Sequence, residues 1–254
     1  MYFLCACSSI LVTNEKLQTH SDLHMSWFTK FLSSSIGQKW IMSLTGIFLM
    51  LFLVVHLIGN FQLLKDDGGD AFNAYAYFMT HFPLIKVVSY GLYFFILLHA
   101  YKGIALWLSN RKARGPQRYA VQYSRPSERQ SRNMAWLGII IFIFLLIHLY
   151  QFWLQMKMGA LELVDVTAYD FQVYNLYAPV KEAYGQLGYV IFYVVCMLIV
   201  GLHLWHGFWS SFQTLGVSHR RYNGLIKTIG YIYSVGISLG FAIIPVYFYL
   251  FIKQ

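Results

Sequence analysis

Five long stretches of the chain contain almost no charged side chain, and they constrain the fold more than any other feature. A helix that crosses a bilayer needs about 20 apolar residues. Only helices and closed barrels satisfy every backbone hydrogen bond in lipid, and these continuous runs lack the alternation of barrel strands. The sequence therefore predicts an all-α integral membrane protein. Its five transmembrane helices are expected at about residues 40–64, 87–109, 133–156, 187–212 and 228–252.

The composition of the chain excludes most soluble classes. Of its 254 residues, 58% are hydrophobic and only 11% are charged, whereas soluble domains carry about 25% charged residues. The formal net charge of +9 would suit a nucleic-acid-binding domain, but in a membrane protein such an excess belongs first to cytoplasmic loops. We therefore expect contact with membrane lipid and no nucleic-acid partner.

The charges of the connecting loops predict the orientation in the membrane. The connections after the second and fourth spans are rich in Arg and Lys, whereas those after the first and third hold most of the acidic residues. The positive-inside rule then places the N-terminus in the cytoplasm and the C-terminus outside. Residues 1–29 are expected to be a poorly ordered extension that precedes a membrane domain over residues 30–254.

Five histidines lie inside the predicted spans, on four different helices. An ionisable residue at membrane depth indicates function by default. Because successive spans run in opposite directions, His56 and His148 share the outer half of the bilayer, and His99 and His203 share the inner half. Two levels with two histidines each are what two bis-histidine haems require, since a neutral imidazole suits haem iron. Four of the five helices would then form a haem-binding bundle.

Glycines recur at fixed distances from these histidines. Two follow a histidine by four residues, and two precede one by ten residues, which is about 15 Å along a helix and near the level of the other haem. A glycine lets a flat macrocycle approach the backbone, but small residues also simply allow membrane helices to pack closely. The four are Gly103, Gly207, Gly46 and Gly138.

Two other arrangements of the histidines are open. A zinc or copper site would need three or four ligands at one depth, which the two-level spacing disfavours. His206 lies three residues after His203 and would either replace it as a ligand or bond a haem propionate. The H-x-x-x-G pattern that His203 shares with His99 favours His203 as the ligand.

Two segments carry a family resemblance. One is Ser35-Ile-Gly-Gln-Lys-Trp-Ile-Met-Ser-Leu-Thr-Gly46, followed by His56-Leu-Ile-Gly-Asn60, and the other is His203-Leu-Trp-His-Gly-Phe-Trp-Ser-Ser-Phe-Gln-Thr-Leu-Gly216. They resemble the membrane anchor of succinate dehydrogenases and fumarate reductases. Among these anchors they resemble the single-subunit, five-helix, dihaem cytochrome b type of menaquinone-using bacteria. The resemblance covers about residues 30–253.

The resemblance implies a respiratory complex II in a bacterial inner membrane, working beside the tricarboxylic acid cycle. It implies a flavoprotein subunit and an iron–sulfur subunit on the cytoplasmic side, two haem b groups, and menaquinone or another quinone as substrate. It pairs His99 with His203 at the inner haem and His56 with His148 at the outer haem. The chain itself has no flavin or iron–sulfur motif, so we expect no activity on succinate alone.

One position departs from this family. A fumarate reductase member has a glutamate two residues before the fourth-helix ligand, and here that position is Gly201. Quinone chemistry needs groups that give or take protons, and we expect these on the outer loops. The candidates there are Asp66, Asp67, Asp70 and His81, and the candidates for the haem propionates are Lys39, Ser43 and Arg132.

Two alternative functions are compatible with the pattern. One is the quinone-reacting cytochrome b anchor of a different respiratory dehydrogenase, which a different partner would reveal. The other is a haem-free membrane transporter that uses its intramembrane histidines for protons or metal, which the absence of a haem spectrum would favour.

Overall fold

A computed structural model describes residues 27–114 and 126–252. Helices make up nearly all of this part of the chain. In chain order they are α1 (Trp27–Ser33), α2 (Ser35–Asn60), α3 (Asp70–His81), α4 (Pro83–Arg114), α5 (Pro126–His148), α6 (Gln155–Lys157), α7 (Tyr177–Tyr184), α8 (Leu187–Thr214) and α9 (Asn223–Tyr247). A short antiparallel ribbon of β1 (Leu163–Val164) and β2 (Val173–Tyr174) lies between α6 and α7.

The predicted all-α membrane fold is confirmed, because five helical stretches among the described residues are long and apolar enough to cross a bilayer. Each contains one of the predicted spans. They cover residues 35–64, 83–113, 133–157, 187–214 and 223–252.

The fifth spanning helix begins before its uncharged stretch does. The predicted span begins after Lys227, but α9 already begins at Asn223. The Lys227 ammonium lies over the Trp209 ring, 4.8 Å from its centroid. A cation is attracted to the face of an aromatic ring, so the charge is accommodated without ending the helix.

The chain divides into two units, residues 1–41 and 42–254. In the first unit, residues 1–26 lie outside the described part, so the predicted extension is not tested there, and α1 begins at Trp27. The Ser34 hydroxyl accepts a hydrogen bond of 3.0 Å from the Gly37 amide. A serine hydroxyl commonly satisfies a free amide at a helix start in this way, which here marks the break between α1 and α2.

The buried core of the second unit lies between α8 and its neighbours. Residues at helical spacing on one face of α8 are buried, whereas Leu198 and Leu202 on the opposite face are 58% and 52% exposed. Such an apolar exposed face suits lipid. The Tyr233 hydroxyl of α9 donates to the Met50 carbonyl of α2 over 2.7 Å. The buried face of α8 comprises Tyr193, Cys196, Met197, Val200 and Leu204.

Three of the spans end in irregular helix at the same end of the second unit. A 3-10 turn follows α2, and π-helices follow His148 of α5 and Tyr247 of α9. The Tyr184 ring of α7 contacts Phe152 and Phe248, one in each π-helix. A π-helix within a long helix frequently marks a functional site.

The two loops that we predict to be outer are joined at this end, which we call the capped end. Asp70 of α3 accepts hydrogen bonds from the Thr167 amide and hydroxyl over 2.8 and 2.6 Å. The buried Asn73 side chain bonds both Asn175 and the backbone amide of Tyr177. These contacts join segments about a hundred residues apart in sequence and show that the two loops share one end.

Candidate functional site

The structure brings the four predicted ligands together in the two predicted pairs. The His99 and His203 rings have centroids 6.4 Å apart and planes at 70°. The His56 and His148 rings have centroids 5.9 Å apart and planes at 86°. The four side chains come from α4 and α8 for the first pair and from α2 and α5 for the second, which lies nearer the capped end.

The spacing of both pairs suits one metal ion between two imidazoles. Two nitrogens bound on opposite sides of an ion at about 2 Å each lie about 4 Å apart. The observed distances between ring centroids, 6.4 and 5.9 Å, exceed this nitrogen–nitrogen distance by roughly the radii of two imidazole rings. Because a haem macrocycle supplies four further nitrogens, two protein ligands are sufficient for its iron.

A metal site of protein ligands alone finds no support in the described residues. Within residues 27–114 and 126–252, no group of three or more His, Cys, Asp or Glu side chains is arranged to hold a metal ion. Structural and catalytic zinc sites use three or four protein ligands.

The remaining ring nitrogens of the four histidines are not equivalent. His99 Nδ1 lies 3.1 Å from the Thr45 hydroxyl, and His56 Nδ1 lies 3.3 Å from the Asn60 side-chain nitrogen. By contrast, the Nδ1 atoms of His148 and His203 are buried and have no hydrogen-bond partner in the described structure. A buried ring nitrogen without a partner is costly, so each pair contains one histidine whose ring is not held by a hydrogen bond at Nδ1.

Two of the predicted glycines lie against the inner pair. A Cβ atom at Gly46 would lie 3.3 Å from His99 Cε1, and one at Gly138 would lie 3.7 Å from His203 Cε1. The ten-residue offset from His56 and His148 thus brings these glycines to the level of the other pair. A Cβ at Gly103 would meet Met42, and one at Gly207 would meet nothing within 4 Å.

The other predicted cofactor contacts are only partly described. The His206 side chain is half-buried on α8, and the ring that faces His99 is that of His203. Ser43 is buried on α2, one turn before Gly46. Lys39 belongs to the first unit, and the side chain of Arg132 lies outside the described residues.

The four predicted proton-carrying residues have different surroundings at the capped end. Asp67 accepts hydrogen bonds from the amides of Gly69 and Ala71 at the start of α3. The hydroxyl and amide of Thr167 lower the pKa of Asp70 below its ordinary value. The carboxylates of Asp67 and Asp70 thus accept hydrogen bonds within the capped end, and Asp66 is exposed beside them.

His81 lines a cavity at the capped end. The cavity has a volume of about 170 Å³ and lies between α3, α6 and the segment that enters α7. The His81 ring stacks on Tyr77, with centroids 4.0 Å apart. Its Nδ1 lies 2.9 Å from the Tyr77 carbonyl, so Nδ1–H donates there and Nε2 stays available. The lining residues are Ala76, Tyr77, Thr80, His81, Met156, Lys157, Tyr174 and Leu176.

The sequence analysis missed Thr45 and Asn60, the polar neighbours of two predicted ligands. Asn60 could have been identified from the sequence, because it lies four residues after His56 and therefore on the same helix face. Thr45 was harder to identify, because the sequence cue there is its position directly before Gly46. Lys157 was also missed, since a single lysine at the end of a span is ordinarily a solvated anchor.

Comparison with known proteins gives a relative of this chain. The chain is similar to the succinate dehydrogenase cytochrome b558 subunit of Bacillus subtilis, with 26% identity over 169 residues, which cover 66% of this chain and 73% of the relative. No family model matches the chain, and no solved structure matches it. The resemblance drawn from the sequence motifs is confirmed by this relative.

Proposed function

We propose that this multi-pass membrane protein is the dihaem cytochrome b anchor of a succinate:quinone oxidoreductase. The observation that carries the proposal is the placement of four intramembrane histidines, from four helices, as two facing pairs. The similarity to a cytochrome b subunit of succinate dehydrogenase supports the same assignment.

Each histidine pair would hold one haem b. His99 and His203 would ligate the inner haem, with Gly46 and Gly138 leaving room beside their rings. His56 and His148 would ligate the outer haem. When bound, haem supplies reversible one-electron chemistry at its iron, which protein ligands and their surroundings tune. Lys39, Ser43, Arg132 and His206 remain candidates for the propionates of the inner haem, with Gly103 and Gly207 as candidate close contacts.

We propose the cavity at the capped end as the site for a quinone head group. Reduction of a quinone takes two electrons and two protons, so the site needs a group that exchanges protons. His81 lines the cavity, and its Nε2 carries a free lone pair when Nδ1–H donates to the Tyr77 carbonyl. Lys157 also lines the cavity and can donate a hydrogen bond to a quinone carbonyl. Met156 follows His148 by eight residues, roughly 12 Å along a helix, which brings the cavity near the outer haem.

The rest of the complex follows from the same assignment. A flavoprotein subunit and an iron–sulfur subunit would bind at the cytoplasmic side, which the basic loops predict to be the end away from the cap. Electrons would pass between that side and menaquinone or another quinone. The chain would thus belong to complex II of a bacterial inner membrane and would not oxidise succinate alone.

The deciding experiment is a haem determination on the detergent-purified chain. Pyridine haemochrome analysis and a reduced-minus-oxidised spectrum are expected to give b-type haem at about two per chain. A ratio near one would mean that one pair is not a ligand pair. Folded protein without haem, from cells replete with haem, would overturn the proposal and favour a histidine-based transporter.

A second measurement identifies the partner. Affinity purification of the chain from mild detergent is expected to recover a flavoprotein and an iron–sulfur protein with succinate dehydrogenase activity. Recovery of a hydrogenase or a formate dehydrogenase instead, with two haems per chain, would keep the cytochrome and replace the enzyme.

A further inference from the structure

The environment of Thr45 singles out one of the four predicted haem ligands. Thr45 lies on α2 and is 3% exposed. Its hydroxyl donates a hydrogen bond to the Met42 carbonyl over 3.1 Å. The same oxygen lies 3.1 Å from His99 Nδ1. A hydroxyl has one hydrogen, so with that hydrogen on Met42 the Thr45 oxygen accepts at His99.

This arrangement favours one tautomer of His99. With the hydroxyl hydrogen on Met42, the imidazole donates its Nδ1–H towards Thr45, which leaves Nε2 as the nitrogen with a free lone pair. The neighbouring residue Gly46 restricts the ring further, because a Cβ there would lie 3.3 Å from His99 Cε1. Thr45 and Gly46 together thus favour one orientation of the His99 ring.

The ring of His203, the other member of the pair, has no comparable support. His203 Nδ1 is buried and has no hydrogen-bond partner in the described structure. A histidine that ligates a metal almost always donates its other ring N–H to an acceptor, which fixes its orientation and strengthens it as a ligand. The inner pair therefore has one supported and one unsupported ligand: the His99 ring has hydrogen bonds with the Thr45 hydroxyl and with the Met42 backbone, whereas His203 Nδ1 has none in the described structure.

The outer pair has support of a different kind. Asn60 presents its side-chain nitrogen to His56 Nδ1 at 3.3 Å and also donates to the His56 carbonyl at 2.8 Å. An amide N–H is a donor, so this arrangement gives no acceptor for an Nδ1–H. A residue that accepts from a ligand's Nδ1–H is thus seen at the inner pair and not at the outer pair.

We propose that Thr45 is a positioning residue for the inner haem: it holds His99 as the Nδ1–H tautomer with Nε2 free for the iron, and it thereby lowers the reduction potential of that haem. The inference rests on the proposed dihaem function. Its physical reason is that an acceptor on Nδ1–H makes the imidazole a stronger donor, which favours ferric over ferrous iron.

The test compares Thr45→Val, which removes the acceptor at nearly constant shape, with Thr45→Ser, which keeps it. Thr214→Val is the matched control, because that hydroxyl bonds only the Ser210 carbonyl on its own helix. Redox titration of each full-length protein in membranes gives two midpoint potentials, and low-temperature electron paramagnetic resonance gives the signal of each ferric haem.

We expect Thr45→Val to retain two haems and to raise one midpoint potential. A tenfold change in the ferric-to-ferrous preference corresponds to about 59 mV for one electron. The resonance signal of the same haem should shift, while the other haem, Thr45→Ser and Thr214→Val stay unchanged. If Thr45→Val fails to accumulate, Thr45→Ala removes the same acceptor and leaves space rather than strain.

The outcomes separate this inference from the proposed function. Wild-type protein without haem would defeat the proposed function itself. Two haems in the wild type with unchanged potentials and signals in Thr45→Val or Thr45→Ala would overturn only the role of Thr45. A shift in Thr45→Ser as large as that in Thr45→Val would also overturn it, because the hydroxyl acceptor is then not the cause.

Discussion

The rings of His56 and His148 face each other with centroids 5.9 Å apart, although the two residues lie on different helices and 92 positions separate them in sequence. His99 and His203 form a second facing pair with centroids 6.4 Å apart. The four residues follow one another in the chain as His56, His99, His148 and His203, so each histidine faces the next but one and not its neighbour in sequence. This cross-pairing makes the haem assignment testable residue by residue.

Substitution of a single histidine should remove one haem and spare the other. We expect His203→Ala or His99→Ala to lower the ratio from about two haems per chain to about one, because the inner haem iron would then lose one of its two protein ligands. His206→Ala should retain both. The pyridine haemochrome ratio and the difference spectrum measure this. Loss of a haem in His206→Ala but not in His203→Ala would reverse the ligand choice on α8.

A side chain at Gly46 should disturb the inner haem selectively. A Cβ there would already lie 3.3 Å from His99 Cε1, so Gly46→Val forces the ring to move, and overpacking of this kind costs about 1–3 kcal/mol. We expect a lower content of the inner haem and an unchanged outer haem. Gly236→Ala is the control, since a Cβ there meets nothing within 4 Å. Equal haem loss in both variants would refute the prediction.

The cap should depend on Asn73, which is 3% exposed. Its side chain bonds the Asn175 side chain and accepts from the Tyr177 amide. Asn73→Ala leaves these partners without a bond, and such a loss costs about 1–3 kcal/mol. Thermal unfolding in detergent should show a lower midpoint, and proteolysis should cut first in residues 158–186. Unchanged unfolding and an unchanged cleavage pattern would exclude this role.

Acid should loosen the cap through Asp70. The Thr167 hydroxyl and then the Thr167 amide lower the pKa of Asp70 in the folded protein. A carboxylate with a lowered folded pKa stabilises the fold above its unfolded pKa, and that contribution is lost as the pH falls through the folded pKa. Proteolysis of the cap with an acid protease should therefore accelerate below about pH 4. Asp70→Asn should already be cleaved faster than the wild type at the mildest acidity at which the protease works, and should show less further change with acid.

The sequence was sufficient for the spans and for the proximity of the histidine rings, for two physical reasons. The length of an apolar run reports directly on bilayer thickness, and depth along a helix follows from a fixed rise per residue. His56 and His148 could therefore be matched by level without any knowledge of helix packing. The same arithmetic brought Gly46 to His99.

The cap and the support of the ligands were not predictable in this way. The bond between Asp70 and Thr167 joins residues 97 positions apart in irregular loops, where no periodicity fixes their relative position. Thr45 is one hydroxyl in an apolar helix, and its role depends on which face α4 presents to it. His81 was a candidate among four, and only the cavity beside it separates it from the three carboxylates.

The quinone site gives the last prediction. In the cavity of about 170 Å³, His81 offers a ring nitrogen that can exchange a proton. Removal of a general acid or base lowers a rate by about 100-fold or more. We therefore expect His81→Ala to reduce succinate:quinone reductase activity of the assembled complex strongly, while succinate oxidation with a soluble dye that bypasses the quinone stays intact.

The controls for His81 separate chemistry from folding. His81→Ala should keep both haems, because the residue lies outside both pairs. Asp165→Asn, a change at an exposed carboxylate in the same cap, should leave quinone reduction unchanged. If His81→Ala reduces quinone at the wild-type rate, the cavity at the capped end is not the quinone site. Loss of dye-linked and quinone-linked activity together would instead indicate a damaged complex, and Lys157→Met would then test the cavity from its other wall, where the same selective loss of quinone reduction is expected.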